Sequence, residues 1–240
     1  MKFPEQDDEK LAEFVGIILG DGSVSIYKSG RSTQHRIKIS FHSGDVKYIN
    51  FVRALILELF NIEPIIKTRK TEQNTNIFIF RKAILDFLLD IGLMLAPKWN
   101  RAIIPKQFLK KPNSTAVLRG LFDTDGSVVL ANNHGTLYPR LEIKVCPSPM
   151  QKQIIQMLKD NDLKFGAYQI GNGKIRVQMN GKLQLNLWLN KIGFSNVKHI
   201  FKARRALMDS KFERINFYER KTIAESRFEL LASGSPVSIQ

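Results

Sequence analysis

FVGIILGDGSV, residues 14–24, and LRGLFDTDGSV, residues 118–128, end in the same four letters. Each is an apolar run that closes on an acid, Asp21 or Asp125, followed at once by a glycine turn. One Asp-Gly after a helix is an ordinary C-terminal turn and carries no message. Two copies 104 residues apart, each behind a helix with small residues at four-residue spacing, define a repeat.

Other echoes fall at about the same offset. RIKIS at 36–40 answers LEIKVC at 141–146, which reads Lys38 as the counterpart of Lys144. LDFLLDIG at 85–92 answers LNLWLNKIG at 185–193. Hydrophobic periodicity fills in the rest. In the first half, Asp7 or Asp8 can cap a helix over 9–21, with strands over 24–30 and 35–41. An amphipathic helix then spans DVKYINFVRALILELF, followed by strands over 64–70 and 76–81 and a helix over 82–91. The second half repeats the order. Asn113 or Ser114 caps a helix over 115–125, strands cover 127–132 and 137–146, and a helix covers 149–160. Strands at 165–170 and 174–179 flank the hairpin signal Gly171-Asn172-Gly173, and a helix covers 181–191. The expected division is a first repeat over 1–96, a basic linker over 97–113, a second repeat over 114–198, and a charged helix with a polar tail over 199–240.

Lysine and arginine outnumber acids 37 to 22 in 240 residues, a net charge of +15 that points to a polyanionic partner. The single cysteine, Cys146, excludes an internal disulfide and a cysteine-based zinc site. The charged start MKFPEQDDEKL is no signal peptide, and no apolar run reaches the length of about 18 residues that spans a bilayer. A soluble, intracellular chain is expected.

Residues four apart share a helix face, so Gly16 with Gly20, and Gly120 with Thr124, give each motif helix a stripe of small residues. Glycine inside a helix costs about 1 kcal/mol relative to alanine, which close packing of two backbones offsets. The natural partner of one such helix is the other. Side by side at a pseudo-twofold axis, they bring Asp21 and Asp125 together at their C-terminal ends. Two nearby carboxylates at the negative ends of two helix dipoles call for a cation. Oxygen donors without cysteine or histidine suit a hard ion, Mg²⁺ or Mn²⁺, with the carbonyls of Gly20 and Thr124 free to add ligands. Acids, hard ions and a basic surface together suggest phosphodiester hydrolysis. Asp123 answers Leu19 in the first copy, so it is assigned no chemistry.

FVGIILGDG and LRGLFDTDG resemble the LAGLIDADG motif of homing endonucleases, in the two-motif, single-chain form. Val15 and Arg119 depart from its small second residue, and Leu19 from its first acid. The resemblance covers about 9–195. It implies an α/β (α+β) fold of two pseudo-twofold-related αββαββα repeats, with saddle-shaped antiparallel sheets and the motif helices at the interface. It also implies a monomeric, intron-encoded nuclease that cuts both strands of duplex DNA across the minor groove and leaves 3′ overhangs. By that resemblance the last motif acids, Asp21 and Asp125, are the metal ligands. Lys144, with Lys38, matches the family's basic residue near the metals, which orients water, steadies the phosphate charge or only contacts phosphate. Intron RNA is a further partner the family admits, since relatives act as splicing cofactors; a non-cleaving DNA-binding regulator is the other rival. An intein origin is not expected, because splice-junction residues are missing.

The strand patterns support a DNA-reading surface on their own. Alternation puts Arg36, Lys38 and Ser40 on one face, Lys67 and Arg69 on one, Arg140, Glu142 and Lys144 on one, and Arg176 with Gln178 on one. A two-stranded ribbon fits the major groove, where arginine reads guanine and glutamine reads adenine. The loops SGRSTQ (29–34, with Arg31), KTEQNT (70–75) and NNHGT (132–136) are placed to touch flanking DNA, and Lys106, Lys110 and Lys111 to meet phosphates. The four histidines form no catalytic pattern, and Trp99 and Trp188 read as packing residues.

Overall fold

Asp8 opens the first helix, its carboxylate accepting from the backbone N–H groups of Lys10 (2.7 Å) and Leu11 (3.0 Å). The computed structural model describes residues 3–69, 72–133 and 136–208; the polar tail and the end of the charged helix expected beyond 208 lie outside them, as do parts of the loops at 70–75 and 132–136. Helix α1 (Glu9–Leu19) leads into the hairpin β1 (Gly22–Ser29) and β2 (Ser32–His42), then α2 (Val46–Phe60), β3 (Ile65–Arg69), β4 (Asn74–Ile79) and α3 (Lys82–Asp90). The second half runs α4 (Asn113–Asp125), β5 (Gly126–Asn133), β6 (Thr136–Val145), α5 (Met150–Asp160), β7 (Gly166–Gln169), β8 (Ile175–Asn180) and α6 (Gly181–Lys191), followed by α7 (Val197–Met208).

The two halves have the same topology: one antiparallel sheet is ordered β1-β2-β4-β3, the other β5-β6-β8-β7. Their registers agree at the offset of 104, Gly22 pairing with Ile39 and Gly126 with Ile143. This is the expected α+β pair of αββαββα repeats. In β2 the alternation is clean: Ile37, Ile39 and Phe41 are buried, while Arg36, Lys38 and Ser40 lie on the other, partly exposed face. The buried face of each sheet packs on its helices, and one continuous apolar cluster runs through both repeats.

Three expectations change. Register makes Ser40, not Lys38, the counterpart of Lys144; Lys38 corresponds to Glu142, because the RIKIS and LEIKVC strings match in letters but are shifted by one side-chain pair. Neither Asn113 nor Ser114 caps α4. The chain enters at Pro112, and Asn113 donates its amide to Asp7 O at 2.8 Å, tying α4 to the start of α1. Trp188 is buried as expected, but Trp99 is exposed, its ring beneath the Lys174 ammonium at 5.3 Å.

The segment after α3 is less of a loose linker than its lysines suggest. Ala102, Ile104 and Phe108 are fully buried. Backbone bonds from Asn100 to Pro147 (2.7 Å) and from Met150 to Ala102 (3.0 Å) stitch it to the second repeat, while Ala96 N bonds to Val24 O in the first.

Candidate active site and nucleic-acid interface

The seam between α1 and α4 is reciprocal. A methyl group at Gly16 would strike the carbonyl oxygen of Val117 and come within 2.9 Å of the Leu121 nitrogen. A methyl at Gly120 would strike the carbonyl oxygen of Glu13 and come within 3.0 Å of the Ile17 nitrogen. Each glycine thus faces the equivalent stretch of the other helix, and only hydrogen fits between the backbones. At the fourth small position the symmetry breaks. The Thr124 side chain fills the space over Gly20, its Oγ1 donating back to Gly120 O and Leu121 O at 3.0 Å each.

This seam sets Asp21 and Asp125 at neighbouring helix ends. A Cβ on Gly20 would sit 3.5 Å from Asp125 Oδ2. Both acids are exposed by area, yet both have lost part of their hydration to the surrounding helix ends. That loss is the main cause of the rise of Asp125 to about 7; the Asp21 charge adds to it and Lys98 opposes it. Asp21 is also raised by desolvation, against the pull of Lys98 and Lys198.

Lys98 was not singled out by the sequence. Its ammonium donates to Ile18 O (3.1 Å), Leu19 O (2.7 Å) and Gly20 O, closing the carbonyl end of α1. The Gly20 carbonyl, expected to be free for a metal, is therefore occupied. Burial lowers the Lys98 pKa, and the charges of Asp125, Asp21 and Cys146 pull it back up. Lys198, at the start of α7, feels Asp21 as well and is paired with Asp45 at 2.9 Å. Each lysine follows the Ile-Gly that closes its repeat, Lys98 six residues after Gly92 and Lys198 five after Gly193, and that similar placement is the signal available in the sequence. Lys38 and Lys144 stand on the outward sheet faces, and neither contributes to the shifts of the two acids.

Asp123 has a structural task. Fully enclosed, it accepts from the backbone N–H groups of Ser195 (2.6 Å) and Asn196 (3.0 Å), docking the start of α7 on α4. Burial raises its pKa well above the ordinary range. Arg119, the unusual second residue of the motif, is buried across the seam. It bonds Glu13 Oε2 (2.8 and 3.0 Å), Ile192 O (2.9 Å) and Glu9 (3.3 Å).

The donor set fits a hard divalent ion: two carboxylates, both with raised pKa values that a cation would lower, at the ends of two helices. No group of three or more His, Cys, Asp or Glu side chains with metal-binding geometry occurs among the described residues, so other ligands must come from carbonyls, water or substrate. The sequence-derived reading residues line the two sheet faces. Lys67 and Arg69 are exposed on β3, Arg176 and Gln178 stand on β8, and Arg31 lies at the β1–β2 turn beside Gly30, whose φ of +60° suits a tight hairpin. Glu142 is nearly buried and ion-paired to Arg140 at 2.5 Å.

Among known proteins, residues 13–185 match the family model described as LAGLIDADG DNA endonuclease family. The chain is 24% identical over 217 residues to the replication factor C small subunit of Methanocaldococcus jannaschii, covering 86% of this chain and 11% of that protein. It thus spans about a tenth of the length of that relative. The homing endonuclease I-DmoI in complex with DNA and Mn superposes with a TM-score of 0.58 at 15% identity, covering 79% of this chain and 98% of that one. Meganuclease I-SmaMI bound to uncleaveable DNA gives 0.58 at 12% identity, covering 100% and 99%. No helix among the described residues is long and apolar enough to cross a membrane. With the family model matched across both motifs and both sheets, the chain belongs to the LAGLIDADG DNA endonuclease family.

Proposed function

We propose that the protein is a monomeric, site-specific homing endonuclease that hydrolyses both strands of a duplex across the minor groove, leaves 3′ overhangs and promotes intron mobility. The observation that carries this reading is the pair of motif acids, Asp21 and Asp125, set together at the end of the glycine seam.

Asp21 and Asp125 would hold Mg²⁺ or Mn²⁺, with the Thr124 carbonyl as a further ligand. The bound ion supplies positive charge to the phosphate and lowers the pKa of an attacking water. Lys98 and Lys198 keep cationic groups beside the acids, one anchored by three carbonyls and the other by Asp45, where they offset charge on the reacting phosphate. Lys144 follows the Gly126–Ile143 pair by one register step, beside Asp125, where it would orient water, steady the phosphate charge or contact phosphate, and Lys38, one side-chain pair farther out on β2, would contact the DNA backbone. The two sheets enter successive major grooves through Arg36, Ser40, Lys67, Arg69, Arg140, Arg176 and Gln178, and the +15 charge draws the duplex in.

The test is linearisation of a plasmid carrying the uninterrupted insertion site. Cutting with Mg²⁺ is expected, as is its loss in Asp21→Asn or Asp125→Asn with binding in Ca²⁺ retained. Binding without cutting under every divalent ion tried would turn the reading to a regulator. Tighter binding to structured intron RNA than to the duplex would turn it to a splicing cofactor.

A further inference from the structure

The candidate DNA-reading arginines differ in what holds them. Arg69 is paired with Glu72 at 3.1 Å and Arg140 with Glu142 at 2.5 Å. Arg36 and Arg176 have no acid partner among the described residues. Each lies instead over a tyrosine on the same sheet face: Arg36 over Tyr27 at 4.8 Å and Arg176 over Tyr168 at 5.8 Å from the ring centre. The Nε of each, like that of Arg140, is out of solvent with no acceptor among the described residues, so the ring contact is what sets these two apart. The Tyr168 ring folds back over Gly166, where a methyl group would come within 2.6 Å of its Cζ. A glycine in that strand thus makes room for the ring.

A stacked guanidinium is fixed in plane by the electrostatic attraction of the ring, while its edge keeps the N–H donors available. A two-donor edge matches O6 and N7 of guanine in the major groove. Arg69 instead gives one terminal nitrogen to Glu72, and Arg140 turns its Nε toward Glu142, so each is drawn toward an acid rather than held flat on a ring. We infer that Arg36 and Arg176 are the guanine readers of the two sheets, and that Tyr27 and Tyr168 are the positioning residues that set their selectivity. The inference rests on the endonuclease reading and names the bases that reading leaves open.

Register also gives their spacing. Arg176 pairs with Lys144 and Tyr168 in one row, and the first-repeat equivalent of Lys144 is Ser40. Arg36 lies two outward-facing positions beyond Ser40 on β2, roughly 13 Å at about 3.3 Å per residue. That is roughly four base-pair steps of about 3.4 Å. The target therefore carries one guanine near its centre beneath the second sheet, and another about four base pairs farther out beneath the first.

The test is selection of bound duplexes from a randomised library in Ca²⁺, followed by sequencing. Guanine enrichment is expected at two positions with that unequal spacing. Arg36→Ala should erase the outer preference alone, and Arg176→Ala the inner one alone. Tyr27→Ala should relax the outer preference about tenfold, whereas Tyr27→Phe, which keeps the ring face, should preserve it; Tyr168→Ala and Tyr168→Phe should do the same at the inner position. Both tyrosines are exposed, so melting temperatures should stay unchanged. A duplex selected with guanine preferences that survive both arginine substitutions overturns this inference and leaves the endonuclease reading standing. Failure to enrich any duplex removes both.

Discussion

Arg119 reaches from the second repeat into the first and sets its guanidinium on the Glu13 carboxylate, with both side chains out of solvent. The same carboxylate accepts from Ser195 Oγ at 2.5 Å, so one buried acid joins α1, α4 and the segment leading into α7. Removing one partner of a buried pair strands the other charge. Arg119→Ala should cost about 3–5 kcal/mol in urea unfolding. Arg119→Leu combined with Glu13→Leu should recover most of that loss. A double variant as unstable as the single would show that this network acts through its shape and not its charge.

The glycine seam predicts a sharper failure. Gly16→Ala and Gly120→Ala each force a methyl group into the opposing backbone, which cannot withdraw as a side-chain tip would. Each should cost about 1–3 kcal/mol or more. Cleavage should fall further than the fraction unfolded explains, because separating the helices separates Asp21 from Asp125. Measuring cutting and thermal melting on the same preparation distinguishes the two effects. Full activity in Gly16→Ala would rule out the close seam as the device that positions the acids.

Asp125 sets a pH dependence near neutrality. Its folded-state pKa of about 7 lies above the ordinary 3.8, so the metal-free folded protein binds more protons than the unfolded chain between those values. Stability therefore falls as pH rises through that window. Asp125→Asn should be the more stable protein at about pH 8, by about 1 kcal/mol after allowance for solvent screening, and indistinguishable at about pH 4. Mg²⁺ requires the ionised form, so the rise in melting temperature that the ion produces should grow from about pH 6 to about pH 8. An ion effect independent of pH would contradict the assignment.

His199 has the opposite sign. Buried between Phe122 and Phe194, it is pulled down to about 4, chiefly by desolvation, with Lys198 and Lys202 adding to the effect. Below about 6.5 the unfolded chain takes up a proton that the folded one refuses, so stability drops as pH is lowered toward about 4. The accumulated loss is about 3 kcal/mol. His199→Phe, which suits an aromatic cluster, should flatten the acid limb of the stability curve. A variant that loses stability in acid as steeply as the parent would place the titration elsewhere.

Much of this site was legible as text. Helix and strand positions follow from periodicity because one face of each element must be buried, and Asp21 and Asp125 stand out because they repeat. Lys98 and Lys198 did not stand out, since a lysine in a basic chain looks like any other until the turn after the Ile-Gly carries it across to a helix end. The pairing of Lys38 with Lys144 failed for a related reason. Similar letters in two strands do not fix register, and a shift of one side-chain pair preserves the alternation while moving the ammonium along the sheet.

The sequence by itself determined that this protein is a tandem duplication with two small-residue helices, each ending in an acid, and a basic face on alternating strands. These are properties of local period and composition, which are written along the chain. Only the tertiary structure decided that the two helices pack backbone to backbone, that Lys98 closes the end of α1, and that Tyr27 and Tyr168 lie beneath Arg36 and Arg176. Those are contacts between segments distant in sequence or set by strand register, and they exist only once the burial of the apolar faces has fixed every element against its neighbours.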